Sequence, residues 1–286
     1  MAGLVYSFAR DRIPALTARV DDGRKVAARV TTEARLAMTK EASMRGTGNR
    51  LWLVAGLVAV LGWPGVAVAA SSITGTVTFD GKAPTLRPLA MDADPACAKK
   101  HSGPVANDML VLGSANTMGN VMVWVSKGLP AGKTWPAPKT PVVIDQKGCQ
   151  YLPHVMGIMV GQPYKILNSD GILHNIHTLP TINRAFNRAM PATVTETTTT
   201  FDKAEAIFHI KCDVHPWMSA YLSAFTHPFF SVTSTDGKFT ISGLDPGTYE
   251  ITAWHERLGT QTASVTVGAS GAKTQDFKFG MPAAKK

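Results

Sequence analysis

After residue 70 the chain consists of short runs of β-branched and aromatic residues separated by turn residues. Asp-Gly pairs at residues 80–81 and 236–237 are strong turn signals, and no segment shows helical periodicity beyond one turn. The pattern predicts an all-β fold built of sandwiches, with the Thr-rich run 193–200 as a polar edge strand or a loop. The predicted strands are Ile73–Phe79, Asn120–Val125, Pro141–Ile144, Gly157–Val160, Tyr164–Leu167, Ala206–Lys211, Ser219–Ala224, Lys238–Ile241, Thr248–Ala253 and Thr262–Val267.

The first 70 residues differ sharply in composition from the rest. Arg45 and Arg50 precede an uncharged apolar stretch, residues 51–70, which ends in Ala-Val-Ala-Ala. A positive start, an apolar middle and a small-residue end are typical of a secretory signal peptide. The alternative is an uncleaved membrane anchor, because about 20 apolar residues can span a bilayer. Two glycines and a proline interrupt the second half of the stretch, which favours cleavage.

Signal peptides normally begin close to the initiator methionine. Residues 1–43 are therefore predicted to be untranslated or dispensable, and residues 44–70 to form the signal peptide. The working protein then covers about residues 71–286, is secreted to the periplasm and has no membrane span after cleavage. Residues 1–50 hold ten Lys+Arg and five Asp+Glu, so only +4 of the formal net charge of +9 remains after residue 70. Because that part has no Lys/Arg run, we predict no nucleic-acid partner.

The segment Cys212-Asp-Val-His215-Pro-Trp-Met218 follows an apolar predicted strand, and His174 lies about forty residues earlier. A thiolate and two imidazoles, with a weak thioether, are the ligand set of a mononuclear type 1 (blue) copper site. Singly these residues are weak evidence, since a lone Met is usually core and a lone His usually lies at the surface or is hydrogen-bonded. Together, in a secreted β-protein with three cysteines, they predict one copper ion bound by His174, Cys212, His215 and Met218.

The stretch from about residue 141 to 225 resembles the cupredoxins, in particular those of the plastocyanin and amicyanin type. The resemblance rests on Gly161-Gln-Pro-Tyr-Lys-Ile-Leu-Asn168, on the His-Asn pair that begins at His174 and on the Cys-x-x-His-Pro-Trp-Met loop. It implies a Greek-key sandwich, one-electron transfer, and His215 as the solvent-facing exit for electrons. It further implies that Pro216 and Trp217 form an apolar docking rim.

In that family the Asn after the first His ties the Cys-bearing loop in place, so the resemblance makes Asn175 a supporting residue of the site. The alternative for Asn175 is an ordinary turn residue. For Trp217 the alternative to a docking role is a buried wedge.

The flanking segments resemble a second family, the carboxypeptidase regulatory-like (transthyretin-like) sandwiches. Residues 73–84 with 120–125 are similar to its first strands, and residues 234–249 to its later ones. We therefore predict an Ig-like host domain whose first part is 71–138 and whose remaining strands and tail are 227–286. A cupredoxin domain, 139–226, is inserted between them. The alternative is two sandwiches in series, the first covering about residues 71–226.

Two cysteines and several histidines remain. In an oxidising compartment Cys97 and Cys149 are expected to form a disulfide, the alternative being two free thiols. His177 and His209 each lie three residues from a predicted ligand, and an odd separation in a strand turns side chains to opposite faces. Neither is therefore expected at the metal. His101 and His154 are either a second metal site or surface and structural residues.

The predicted function is that of a one-electron carrier between a donor and an acceptor redox protein. We do not predict that the protein is an enzyme. A closed four-ligand site leaves no position for substrate, and the sequence shows no acid–base or nucleophile constellation. One alternative is a copper storage or delivery protein without redox duty. Another is a surface interaction module in which copper is structural.

Overall fold

Residues 71–281 form an almost entirely β structure, as the sequence predicts. A computed structural model describes residues 71–281, which fall within one compact unit. The predicted extension 1–43 and signal peptide 44–70 lie outside the described residues. Within 71–281, no helix has both the length and the apolar character needed to cross a membrane.

Seventeen strands run through residues 71–281, and they overlap all ten strands predicted from the sequence. In chain order they are β1 Ser71–Asp80, β2 Met122–Lys127, β3 Val142–Lys147, β4 Gln150–Leu152, β5 Val155–Met159, β6 Tyr164–Asn168, β7 His174–Leu179, β8 Asn187–Met190, β9 Glu196–Thr199, β10 Glu205–Lys211, β11 Ser219–Phe225, β12 Phe230–Val232, β13 Lys238–Leu244, β14 Gly247–His255, β15 Gly259–Val267, β16 Ala272–Thr274 and β17 Phe277–Gly280. One short helix, α1 (Pro95–Ala98), and a 3₁₀ turn, Ser114–Asn116, lie between β1 and β2. The Thr-rich run contains β9, a strand at the edge of its sheet.

The host sandwich is built from the two ends of the described chain. One sheet has the order β13-β1-β16, with β17 also paired to β1, and the other has the order β12-β2-β14-β15. Alternate residues of these strands turn inward, as expected for sheets that each bury one face. Ile73, Val123, Ile251 and Phe279 are buried in the shared core.

The inserted sandwich comprises β3 to β11. Its sheets have the orders β5-β11-β10-β7-β8 and β4-β3-β6-β9, and Ile144, Tyr151, Ile176 and Leu222 lie in the core between them. All these strands fall between β2 and β12, which are antiparallel neighbours in the host. The chain therefore builds the inserted sandwich between two neighbouring strands of the host.

The predicted boundary of the inserted module needs one correction. Residues 71–138 were assigned to the host, but Met91 and Cys97 are buried in the core of the inserted sandwich, with Leu89 and Val105 packed against it. The segment between β1 and β2 therefore crosses to the other sandwich before the chain returns to the host. This crossing brings α1 to one end of the inserted module.

Candidate metal centre

The two inner strands of one sheet bring the predicted ligands to the same end of the inserted sandwich. His174 is the first residue of β7, and Cys212 directly follows β10. β7 and β10 are antiparallel, with His177 opposite Lys211. Because the start of one antiparallel strand lies beside the end of its neighbour, His174 and Cys212 meet although 38 positions separate them.

The loop after β10 folds back on itself. The Cys212 N–H donates to the Met218 carbonyl at 3.3 Å, and the Met218 N–H donates to the His215 carbonyl at 2.9 Å. The His215 N–H points at Cys212 Sγ, 3.3 Å away. These contacts fix a tight loop that returns the His215 ring to the cysteine.

Three potential ligand atoms converge at this loop. His174 Nδ1 is 2.9 Å from His215 Nδ1, which is 3.8 Å from Cys212 Sγ. The three side chains are buried, with exposed fractions of 0%, 2% and 2% for His174, His215 and Cys212. Met218 is buried in the same core cluster, and its role as an axial ligand stays a prediction.

Each imidazole also faces a carboxylate on its outer side. His174 Nε2 donates to Asp170 Oδ2 at 2.9 Å, and His215 Nε2 donates to Asp94 Oδ2 at 3.0 Å. A carboxylate can only accept, so both Nε2 atoms carry the ring proton, and neutral rings then present bare Nδ1 lone pairs to each other. Two lone pairs at 2.9 Å, beside a thiol sulfur, require a proton or a metal cation between them. Imidazole and thiolate are donors that suit copper, so the residues present fit that ion.

The surroundings favour the thiolate that a metal site needs. Burial alone would raise the pKa of Cys212, but a hydrogen bond that the protonated form of His174 donates, together with neighbouring backbone N–H groups, lowers it to about 7. Burial opposes protonation of His174, yet the hydrogen bond to Asp170 and the nearby Cys212 raise the pKa of that imidazole. Burial alone would raise the pKa of Asp170. Hydrogen bonds from His174, Cys149 and Gly148 outweigh that effect and hold the pKa well below the usual range.

A disulfide-anchored segment covers the site. Cys97 and Cys149 are bonded, with Cα atoms 5.6 Å apart, as predicted. Asp94 caps α1 by accepting the Ala96 N–H at 2.8 Å, so the same helix that carries Cys97 places a carboxylate on His215. The segment from Met91 to Ala98 is called the cap below.

The cap corrects one expectation. His215 was predicted to be the solvent-facing exit, but its ring is buried behind Asp94. The correction has a topological cause, because the covering segment comes from the stretch between β1 and β2, which the prediction assigned to the host.

Asn175 has the contacts expected of a residue that ties the loop. Its Oδ1 accepts the Asp213 N–H at 2.5 Å, and its Nδ2 donates to Asn187 Oδ1 at 2.5 Å. Pro216 is exposed. Trp217 is half-buried instead, with its Nε1 donating to the Cys149 carbonyl at 3.0 Å and its ring centroid 5.1 Å from that of His215.

The other histidines have contacts away from the ligand cluster. His177 pairs with Asp213, and His209 Nε2 is hydrogen-bonded to Ser219 Oγ at 2.8 Å. His101 contacts the Gly148 carbonyl at 2.8 Å. The buried His154 lies between Asp108 and Glu256, and these contacts favour the structural alternative for His101 and His154.

Sequence reasoning missed Asp94 and Asp170. Asp170 had a local signal, since it lies four residues before His174 in a turn. Asp94 lies 121 positions from His215, and no spacing in the sequence connects the two.

Comparison with known families gives one match. Residues 221–280 match the model of the carboxypeptidase regulatory-like domain, a range that runs from β11 through the later host strands. The end of the chain therefore carries this domain, as predicted. No curated protein matches the chain in sequence.

Solved structures similar to this chain include cupredoxins. A mutant of amicyanin in its oxidized state is 20% identical, covering 30% of this chain and 82% of that chain, with a TM-score of 0.27. A purple cupredoxin from Nitrosopumilus maritimus is 20% identical over 29% of this chain and 98% of that one, with a TM-score of 0.25. A copper-containing nitrite reductase from Thermus scotoductus SA-01 is 19% identical over 35% of this chain and 25% of that one, with a TM-score of 0.28. Scores this low add no weight to the assignment of the site.

Proposed function

We propose that this protein binds one copper ion in a type 1 site and carries single electrons between redox proteins. The observation that carries the proposal is the buried set of two imidazole Nδ1 atoms and one cysteine sulfur, with both Nδ1 lone pairs turned inward. Bound copper would supply one-electron exchange between its cuprous and cupric forms.

The chain's own residues would hold the ion and keep the site dry. His174, Cys212 and His215 supply the nitrogen and sulfur ligands, and Met218 is proposed as the weak axial one. Asn175 holds the loop through the Asp213 N–H, so the Cys212 and His215 side chains keep their mutual position. The cap lies over the His215 side, and the three proposed ligands His174, Cys212 and His215 are all buried, which does not favour direct access of a substrate. We therefore propose a carrier rather than an enzyme.

The proposed place of action is the periplasm, after removal of residues 44–70. The proposed partners are one redox protein that donates the electron and one that accepts it. Pro216, exposed beside His215, is the residue of the predicted docking rim that remains accessible.

The test is the absorption and EPR spectrum of copper-loaded protein comprising residues 71–286. A thiolate–copper bond should give an intense visible charge-transfer band and the EPR signal of a type 1 centre. Cys212→Ser should abolish the band while the protein still folds, because the sulfur that produces it is gone. Met218→Gln should keep the band, because an axial ligand only tunes the site.

His209→Gln is the matched control, since His209 lies three residues from Cys212 but contacts Ser219. It should leave the spectrum unchanged. A Cys212→Ser protein that keeps its colour contradicts the assignment.

A second candidate function is copper storage or delivery. The observation that favours it is the cap, which covers the one ligand expected to lie at the surface. Reversible one-electron reduction of the loaded protein supports the carrier, whereas copper that cannot be cycled in place supports storage or delivery.

A further inference from the structure

Both histidine ligands of the proposed site hydrogen-bond to carboxylates through the nitrogen that faces away from the metal position. The contacts are 2.9 Å for His174 with Asp170 and 3.0 Å for His215 with Asp94. The two carboxylates come from separate parts of the chain, since Asp170 lies just before β7 and Asp94 lies in the cap. Each makes the same kind of contact with its imidazole.

Asp170 is fixed from three directions. Its carboxylate accepts the N–H groups of Gly148 and Cys149, each at 2.7 Å, and its side chain is only 3% exposed. Lys100 Nζ lies 3.3 Å from Asp170 Oδ1 and offsets part of the charge.

Asp94 is fixed differently. It is the N-cap of α1, which the Cys97–Cys149 disulfide attaches to the inserted sandwich. Its side chain is 33% exposed, and within residues 71–281 its ion-pair partner is His215, with no lysine or arginine beside it. The negative charge of Asp94 is therefore not offset by a lysine or arginine, but this carboxylate is closer to water. The negative charge of Asp170 is buried, and Lys100 offsets part of it.

We propose that Asp94 and Asp170 are positioning residues that bias the site toward the oxidised, divalent ion and so lower its reduction potential. A carboxylate on the outer nitrogen makes an imidazole a stronger donor, which favours the ion of higher charge. The two carboxylates and the Cys212 thiolate together carry three negative charges. Lys100 offsets one of these charges, so the divalent ion leaves a net charge of 0 and the monovalent ion a net charge of −1, and the larger buried charge is the costlier one.

A Lys100 variant tests the direction in which the reduction potential shifts. Its ammonium group repels a divalent ion more than a monovalent one, so removing it should lower the potential, whereas removing either carboxylate should raise it. If these residues had a purely structural role, removing Lys100 and removing a carboxylate would not be expected to shift the potential in opposite directions.

The inference rests on the proposed function, because the potential is defined only for a redox-active ion. The experiment is a spectroelectrochemical titration of copper-loaded wild type, Asp94→Asn, Asp170→Asn and Lys100→Gln. Asn keeps an oxygen that accepts the imidazole N–H, so the ring can stay in place while the charge is lost. Asp92→Asn is the matched control, since Asp92 is exposed and lies two residues from Asp94.

We expect Asp94→Asn and Asp170→Asn each to reduce the ratio of cupric to cuprous affinity at least about tenfold, which is about 59 mV upward for a one-electron couple. Lys100→Gln should shift the potential downward, and Asp92→Asn should leave it unchanged. Asp94→Asn and Lys100→Gln still decide the matter if Asp170→Asn does not fold, because Asp170 also accepts two backbone N–H groups.

Unchanged potentials in Asp94→Asn and Lys100→Gln, with the visible band intact, overturn the inference and leave the proposed function standing. A wild-type protein without the visible band overturns the proposed function instead.

Discussion

His154 should make the stability of this protein depend on pH in a way that one variant can isolate. It lies 4% exposed between the two sandwiches, with Nε2 2.5 Å from Glu256 Oε1 and Nδ1 3.1 Å from Asp108 Oδ2. Burial alone would lower the pKa of this imidazole, but the hydrogen bonds and charges of Asp108 and Glu256 raise it to about 9. Glu256 belongs to the turn between the host strands β14 and β15, so the pair links the host to the inserted module.

The magnitude follows from the difference between the folded and unfolded states. The folded pKa of about 9 lies above the ordinary value of 6.5. The protonated pair therefore stabilises the protein fully below about pH 6.5, and this contribution is lost as the pH rises through about 9. At about 1.4 kcal/mol per pH unit, the full change is on the order of 3 kcal/mol in the free energy of unfolding.

The assay is urea denaturation of the metal-free protein at several pH values between 6 and 10, with wild type beside His154→Gln. The comparison matters because the Cys212 thiol, with its pKa lowered to about 7, contributes in the opposite direction by gaining stability above that pH. Subtracting the two profiles removes the Cys212 contribution, which both proteins share. The difference should be largest at pH 6 and shrink by about 3 kcal/mol by pH 10. A difference that stays constant over this range refutes the reasoning.

Two further predictions concern the disulfide and Trp217. The denatured, non-reduced, metal-free protein of residues 71–286 should react with one equivalent of thiol reagent, at Cys212, because Cys97 and Cys149 are bonded across 52 positions. Three equivalents would contradict the disulfide. The chain-entropy model gives this bond a stabilisation of about 4 kcal/mol. Trp217→Ala should lower the free energy of unfolding by about 2–4 kcal/mol and alter the visible spectrum, because the half-buried ring packs beside His215 and its N–H satisfies the Cys149 carbonyl. A variant with normal stability and spectrum but slow electron exchange would restore the docking role for Trp217.

Parts of this molecule could be predicted from sequence because their causes are local. The strands follow from alternating β-branched residues and Asp-Gly turns, and the ten strongest runs all became strands. The Cys212–Met218 loop closes through its own backbone hydrogen bonds, so its spacing alone indicates a shared site. The disulfide could be predicted because the sequence predicts export to an oxidising compartment, and two cysteines remain once Cys212 is assigned to the site.

Other parts could not be predicted, because their causes lie far apart in the chain. β8 and β16 are short and largely exposed, so they lack the apolar alternation that marks a strand. The contact of Asp94 with His215 depends on a segment that leaves the host between β1 and β2 and packs on the other sandwich. His215 is buried because that segment crosses to the inserted sandwich. The local sequence Cys-x-x-His does not indicate this burial.

The cap also decides which measurement separates the two proposed functions. Fast loss of copper to a chelator would ordinarily favour delivery, because a delivery site must release its ion. Here His174 and His215 are buried, and the Asp94 contact and the disulfide hold the covering segment over the second ring. Slow release is therefore expected of a carrier and of a storage protein alike. The Asp94 contact also restrains the His215 ring, and a restrained ligand is what a one-electron carrier requires. Reversible reduction of the loaded protein, with the copper retained through the cycle, is accordingly the observation that distinguishes the carrier.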